Sequence, residues 1–528
     1  MASAAAPTPP KIAPGSEAPP ARPVVGKPLL HTDNRGLLTI GVMGAMVMQI
    51  LDTTIANVAL PHMQTSLGAT VDTVSWVLTS YIVATAIALP ATGWLSDRIG
   101  SRNLFLVAVG GFIIASMLCG MATSLPEMVA FRVFQGIFAA FINPLSQTAM
   151  LDINPPERAA KAMGVWGMGV MVGPIMGPVI GGFLTENYNW RWVFYVNVPV
   201  GILTFAILWF LLPSRDRAER SFDYVGFTLV GLAVAAFQLM LDRGQTEDWF
   251  DSWEIVIEGL VAAAAAWMAV VHLATARKPL FDRALFHNRN LVMGMLFMVV
   301  VGISTMAPMA LLPPMLQQLF NYPVVDTGMM MAPRGVGVLF TMWLGGQVMG
   351  KIDTRILIMA GLVIFAASLR MMAAYSLEMD YWPVVTSGFI QGLGMGLVFM
   401  PLNALAFATL DNRYRTDGAS MLNLMRSIGQ SAGISMVTVL LARNIQISHA
   451  DLAGHVTEAT VPGAGLIVNL PDLGVTATAF ADAMVNQQAA MIAYLDDFYL
   501  MAWISIAVVP LVLLLKKPKG KVEVVHAE

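Results

Sequence analysis

Fourteen mainly apolar stretches run along the chain, each near the roughly 20 residues that a helix needs to cross a bilayer. They begin near residues 37, 75, 104, 127, 162, 192, 224, 254, 291, 327, 356, 383, 418 and 498, and charges or Pro and Gly clusters separate them. Stretches such as Gly36 to Ala56 and Phe105 to Met121 carry few polar residues or none, and this pattern predicts an all-α membrane protein crossing the bilayer many times. Residues 1–35 form a different kind of segment. The first thirty are rich in Ala and Pro and lack the apolar core of a signal peptide, so they read as a disordered cytoplasmic tail ahead of a permanent first anchor.

Composition agrees with the pattern. Hydrophobic residues make up 57% of the chain and charged residues 12%, with a mean hydropathy of +0.68, whereas a soluble domain carries about 25% charge. A lipid-facing surface accounts for the difference. The single cysteine, Cys119, falls within the third apolar stretch, so no intrachain disulfide forms and a small buried residue is the expected role. With the N-terminus placed inside, the tail, the alternate loops and the basic segment 516–528 hold most of the 30 Lys and Arg residues. The opposite loops hold only Arg191, Arg243 and Arg443, while Arg132, Arg334, Arg370 and Arg426 lie inside apolar stretches. Both termini are therefore expected in the cytoplasm.

The chain also repeats itself. GWLSDRIGSR, from Gly93 to Arg102, follows the second stretch, and GQVMGKIDTR, from Gly346 to Arg355, follows the tenth. A second match joins Phe134-Gln135-Gly136-Ile137 in the fourth stretch to Ile390-Gln391-Gly392-Leu393 in the twelfth. Duplicated halves of six helices explain both matches, with two inserted helices between them. The expected divisions are a tail at 1–35, a six-helix bundle at 36–213, a linker with two inserted helices at 214–275, a second bundle at 276–515 and a basic tail at 516–528. An outer loop at 443–497 belongs to the second bundle.

Several segments resemble one family. GWLSDRIGSR is similar to the loop signature of the major facilitator superfamily, LDTTIANVALP (Leu51 to Pro61) to the first-helix signature of its 14-spanning members, and WRWVFYVNVPVG (Trp190 to Gly201) to their sixth-helix segment. GVMVGPIMGPVIGG (Gly169 to Gly182) resembles the antiporter signature, and RVFQG, beginning at Arg132, the proton-relay signature. Together they resemble the drug:proton antiporters of the EmrB/QacA type over nearly the whole chain after residue 35. The resemblance implies the major facilitator fold: two six-helix bundles plus two inserted central helices, fourteen transmembrane helices in all. It also implies a cytoplasmic gating motif at Gly93, Asp97, Arg98, Gly100 and Arg102. Ser101 stands where the family carries a basic residue, which weakens the local charge cluster. In the antiporter motif, Gly173, Gly177, Gly181 and Gly182 allow close helix approach and Pro174 and Pro178 kink the helix. Tight packing alone is the simpler explanation of the same residues.

Asp52 is the one acidic residue well inside an apolar stretch of the first half. A carboxylate there costs at least a few kcal/mol if it faces lipid, so it faces the interior, with Arg132 as its expected partner in proton coupling. A static ion pair joining the first and fourth helices is the competing view. Arg132, Gln135, Asn143 and Ser146 fall near one face of the fourth helix, and Asn423, Arg426 and Gln430 form a similar stripe in the thirteenth. The residues expected to line a substrate cavity are Asn57, Gln135, Asn143, Met306, Met309, Arg334, Asn423, Arg426 and Gln430, with structural or gating roles favoured for the second-half arginines. Met is abundant, at 38 residues, and flexible thioethers suit a surface that binds many shapes, although they also fill gaps.

These residues lead to a proton-coupled antiporter exporting hydrophobic or amphipathic compounds from a bacterial inner membrane: multidrug efflux, and with it antibiotic resistance. A proton-coupled importer of a small metabolite and a transport-inactive membrane receptor or scaffold are the alternatives. No metal-ligand cluster, nucleophile motif or phosphate loop is visible, so an enzyme, a cofactor and a bound metal are not expected, nor is a nucleic-acid partner. Residues 443–497 are expected to begin irregularly, around Pro462, Gly463, Gly465 and Pro471. From Thr476 to Tyr494 a helix is expected, with Phe480, Met484, Met491 and Leu495 near one face. By the same resemblance, the loop would dock a periplasmic membrane-fusion adaptor that joins an outer-membrane channel.

Overall fold

The computed structural model describes residues 28–32, 34–155, 158–214, 220–349, 352–455 and 474–515. Each of the fourteen predicted stretches is helical. In chain order they are α1 (Arg35–Ser66), α2 (Trp76–Ile99), α3 (Ser101–Met121), α4 (Leu125–Asp152), α5 (Ala159–Asn187), α6 (Trp192–Leu211) and α7 (Tyr224–Arg243). They continue with α8 (Trp253–Thr275), α9 (Arg289–Pro314), α10 (Val324–Val348), α11 (Thr354–Met372), α12 (Trp382–Ala408), α13 (Arg415–His455) and α14 (Gly474–Val508). Twelve helices among the described residues are long and apolar enough to cross a membrane. The other two, α5 and α10, are 29 and 25 residues long and pack against each other, so an arrangement of fourteen spans fits the structure. No strand occurs among the described residues. The chain is a multi-pass membrane protein.

The main difference from expectation lies near the C-terminus. Residues 443–455 and 474–497, expected in an outer loop, are helical, because α13 continues to His455 and α14 begins at Gly474. Hydropathy marks where a helix meets lipid, not where its backbone hydrogen bonds end, and no Pro interrupts either extension. The helix expected over 476–494 is present. The irregular part around Pro462 to Pro471 lies outside the described residues, as do the tail residues 1–27 and 516–528.

Small residues set the helix spacing. A β-carbon at Gly173 of α5 would stand 2.3 Å from Ile50 Cγ2, and one at Gly177 would stand 2.1 Å from Thr54 Oγ1, so α1 and α5 meet along a stripe of glycines four residues apart. The Thr54 hydroxyl donates to the Gly173 carbonyl at 3.1 Å across this contact. The two repeated Gln-Gly pairs do the same work in different places. Gly136 brings α4 against the Tyr81 carbonyl of α2, and Gly392 brings α12 against the Arg334 carbonyl of α10. Gly100 has φ +91°, a left-handed conformation natural to glycine, and turns the chain from α2 into α3.

The inserted helices α7 and α8 pair with each other, and α7 packs against α2. Asp242 at the end of α7 accepts a hydrogen bond from Thr79 of α2, and buried Gln238 of α7 donates to Ser431 of α13 at 2.6 Å. One inserted helix thus touches both a first-half and a second-half helix.

Candidate functional site

Asp52 sits midway along α1 and is completely buried. Its Oδ2 accepts from Arg132 Nη1 at 2.7 Å, and its Oδ1 accepts from Gln135 Nε2 at 2.9 Å and from Asn197 Nδ2 at 2.7 Å. Arg132 and Gln135 come from α4, three residues apart and therefore on one face; Asn197 comes from α6. Three donors saturate the carboxylate. Buried charges persist when paired and hydrogen-bonded, and both conditions hold here.

The arginine is held as firmly as the acid. Arg132 Nε donates to the Val77 carbonyl at 2.9 Å, Nη1 also reaches Gln135 Oε1 at 2.7 Å, and the guanidinium carbon lies 4.1 Å from the centre of the Tyr81 ring. Its Nη2 has no partner. Around this core, Asn197 also donates to Ser116 of α3 at 3.0 Å. Gln49 donates to the Tyr81 hydroxyl at 3.0 Å and accepts from Asn143 at 2.9 Å, so five helices supply the network. Gln135, expected on an open cavity wall, is fully buried against Asp52 instead. Asn197, Ser116 and Gln49 were not singled out from sequence. Asn197 falls inside the WRWVFYVNVPVG segment, and that position was the available signal.

At the end of the molecule that carries the basic loops, polar contacts join the two halves. Gly93 lies against the carboxylate of Asp417, at the foot of α13. Arg220, from the segment before α7, pairs with Asp417 at 2.8 Å, approaches Asp97 at 3.8 Å and donates to the Leu280 carbonyl. Asp152 pairs with Arg415 at 2.7 Å, and Ser420 donates to the Leu89 carbonyl at 2.7 Å. Higher up, Gln147 donates to Asn403 at 2.7 Å and accepts from Asn423 at 3.1 Å. Of the expected gating residues, Arg98 is exposed, and Arg102 donates to the Trp209 carbonyl at 2.5 Å. The acid that completes the charge cluster, Asp417, was missed because it lies 197 residues from its partner Arg220.

The remaining candidates separate. Asn57 is exposed, and Met306, Met309 and Gln430 are half-buried. Arg334 is buried, with Nη2 donating to the Thr305 carbonyl at 3.1 Å. Half-buried Arg426 donates to Asn423 at 3.0 Å and shares a narrow crevice with Trp166, Met298, Phe399, Asn403 and Leu422. Arg370, expected inside the membrane, is exposed at the end of α11, 5.7 Å from the Tyr499 ring centre. Its long stem lets the charge leave the apolar region. In the antiporter motif, Gly173, Gly177 and Gly181 face α1, while Gly182 faces open space; Pro174 and Pro178 lie within the α5 span.

Comparison with known proteins places this arrangement. The Major Facilitator Superfamily model matches residues 42–434. Multidrug export protein EmrB of Haemophilus influenzae is 34% identical over 490 residues, covering 92% of this chain and 96% of that protein. Fatty acid resistance protein FarB of Neisseria gonorrhoeae is 34% identical over 491 residues, covering 91% and 96%. Among solved structures, the proton:xylose symporter XylE aligns with a TM-score of 0.58 at 13% identity, covering 90% of this chain and 95% of that one, which supports the fold alone. The chain belongs to the major facilitator superfamily, in the family that includes the EmrB-type export proteins.

Proposed function

We propose that this protein is a proton-driven antiporter that exports hydrophobic or amphipathic small molecules across a bacterial inner membrane, with both termini in the cytoplasm. The fully buried Asp52–Arg132 pair, with three donors on its carboxylate, carries this reading. Protonating Asp52 cancels the charge that Arg132 balances and leaves a guanidinium inside the bundle. Breaking a buried pair in this way costs about 3–5 kcal/mol, enough to bias one packing of α1, α4 and α6 over another. Proton uptake and helix movement are thereby one event, as antiport requires.

The glycine stripe of α5 along α1 supports a pivot next to the proton site, since on the α5 side the contact carries no side chains to interlock with Ile50 and Thr54. Gly93, Asp97, Gly100 and Arg102, with Arg98 on the surface beside them, support a gate on the cytoplasmic side, where Asp417 and Arg220 join the halves. The relatives' names support the substrate class, multidrug export for one and fatty acid resistance for the other. The helical extensions of α13 and α14 support docking of a periplasmic membrane-fusion adaptor linked to an outer-membrane channel, because exposed Met484 lies on this projecting part. Purified protein in proteoliposomes is expected to move protons when substrate is added, and no movement with any hydrophobic or amphipathic substrate would overturn the proposal.

A further inference from the structure

Each half encloses a carboxylate, and only the first half gives it partners. Asp52 holds three donors, one of them a guanidinium. Asp497 of α14 is 1% exposed, yet neither of its carboxylate oxygens has a hydrogen-bond partner or a paired cation among the described residues. An ionised carboxylate left bare inside a membrane bundle is costly, and a carboxyl group escapes that cost by carrying a proton.

The charges around Asp497 are engaged elsewhere. α14 packs against α13, α11, α9 and the segment 315–319. On α13, Arg415 and Asp417 are taken up at the seam, Arg426 donates to Asn423, His449 pairs with Asp482 at 3.2 Å, and Arg443, Asp451 and His455 are exposed. On α11, Arg355 stands in the first turn, Arg370 is exposed beside Tyr499, and the Tyr375 hydroxyl bonds Ser387. α9 and 315–319 carry no charge after Arg289. On α14 itself, Asp496 is exposed and Tyr494 is buried.

The internal repeat supplies an idle donor. Gln391 of α12 stands where Gln135 stands in α4. Gln135 Nε2 donates to Asp52 at 2.9 Å, whereas Gln391 is fully buried with both Nε2 and Oε1 unpartnered. Tyr375 of α11 links the helices that carry the two groups. Its ring meets that of Phe498, the residue after Asp497, with centres 6.4 Å apart, and its hydroxyl bonds Ser387, one turn before Gln391 on α12. Tyr375 also lines a pocket of about 410 Å³ with Asp380, Trp382 and Thr386, where α11 gives way to α12 at the end away from the basic loops. The Tyr375–Ser387 hydroxyl pair therefore stands between this outer pocket and the deeper Gln391.

We propose that Asp497 is a second proton-binding site, occupied in this conformation, and that Gln391 is the positioning residue that donates to its carboxylate when the proton leaves. This rests on the reading of the protein as a proton-driven antiporter and gives the second half a proton of its own. One proton moves and nothing else: the O–H proton of Asp497 passes to water, and Gln391 Nε2 closes on the oxygen that carried it, as Gln135 Nε2 sits on Asp52 in the first half. A hydrogen bond to the charged form favours that form. Proton release and the approach of α12 to α14 are thereby coupled.

The test is infrared difference spectroscopy on the full-length protein in lipid nanodiscs, with no substrate added, reading the C=O stretch of a protonated carboxyl group. The wild type is expected to lose such a band as pH is raised from 6 to 9. Asp497→Asn is expected to remove the band and Asp52→Asn to keep it. Gln391→Leu is expected to keep the band and move its titration upward by about one pH unit, since the ionised form loses a donor; a residue that served packing alone would leave the midpoint in place. A wild type without a titrating band overturns the proposal whether or not any variant folds, as does a band that survives Asp497→Asn. An unchanged midpoint in Gln391→Leu removes the positioning role. A band that vanishes when sodium replaces choline at constant pH makes Asp497 a cation site and overturns the proton assignment. Proton movement in proteoliposomes separates this site from the transport reading. A titrating Asp497 band without movement from any substrate keeps the site and removes the antiporter, and movement without the band leaves the antiporter standing and removes the site.

Discussion

Gly93 of α2 lies so close to Asp417 of α13 that a β-carbon at position 93 would stand 1.6 Å from the carboxylate Oδ1. Asp417 is also the 2.8 Å partner of Arg220, so a single side chain of the second half meets both the α2 backbone and an arginine of the linker between the halves. Gly93→Val is therefore expected to push the two halves apart at this end, shifting the population toward the state open there by about tenfold, or 1.4 kcal/mol. Spin labels at the exposed positions Asn103 and Asn412, in a Cys119→Ser background, report the distance. An unchanged distance distribution would show that the contact does not hold this end closed.

Asp52→Asn is expected to abolish substrate-driven proton movement while leaving protein in the membrane. The amide keeps the volume, but one of its two polar atoms is now a donor facing the Arg132, Gln135 and Asn197 donors. A loss of stability of about 1–3 kcal/mol accompanies this mismatch, so membrane abundance must be measured beside transport. Wild-type transport by well-expressed variant would leave Asp52 and Arg132 as a structural pair only.

The α5 glycines separate packing from composition. Gly173→Val and Gly177→Val drive methyl groups into Ile50 and Thr54, and overpacking of this kind costs about 1–3 kcal/mol. For Gly182→Val, the β-carbon meets nothing on a neighbouring helix within 4 Å. The first two are expected to lower the melting temperature and impair transport, and the third to leave both near wild type; equal effects of all three would show that the stripe along α1 is not what the motif serves.

The helices and the buried acid were legible because each obeys a one-dimensional rule. Twenty apolar residues make a span, and a carboxylate such as Asp52 inside one turns inward toward a cation. The rest depended on three-dimensional approach. Nothing marks Asn197 as a third donor to Asp52 except its place in a recognisable segment, since a membrane-facing and a buried amide look alike in sequence. Asp417 sits among the charges of a basic loop and gains its role only where Gly93 and Arg220 meet it. Arg370, in an apolar stretch, was expected inside, but a flexible stem carries its charge to the surface.

At the start of α7, Asp223 has its carboxyl held below the ordinary range. Burial alone would raise it, but the Gly226 amide, His272 and the Leu280 amide all bond the charged form. A depressed carboxylate stabilises the fold above its unfolded value, near 4, and loses that contribution as pH falls through the folded value. Asp223→Asn is therefore expected to melt earlier than wild type at pH 7, by the equivalent of about 1 kcal/mol given its partial exposure, with the gap closing below about pH 4. A gap that stays constant down to pH 3 would place the stabilisation elsewhere.

The extensions of α13 and α14 bear on adaptor docking. Met484 is 52% exposed, although Met491, seven residues and about two turns later on nearly the same face, is buried at 3%. The exposed turn lies on the part of α14 that was expected outside the apolar stretch. Exposed apolar side chains on such a projection suit a partner helix better than they suit water. Met484→Asp, alone and with deletion of residues 455–475, is expected to reduce co-purification of a periplasmic adaptor and resistance in whole cells. Substrate-driven proton movement in adaptor-free liposomes is expected to stay at wild-type levels, because neither change touches the Asp52 network or the Asp417 seam. Retained adaptor binding would remove the docking surface, and lost movement in liposomes would make the projection a lid of the transporter itself.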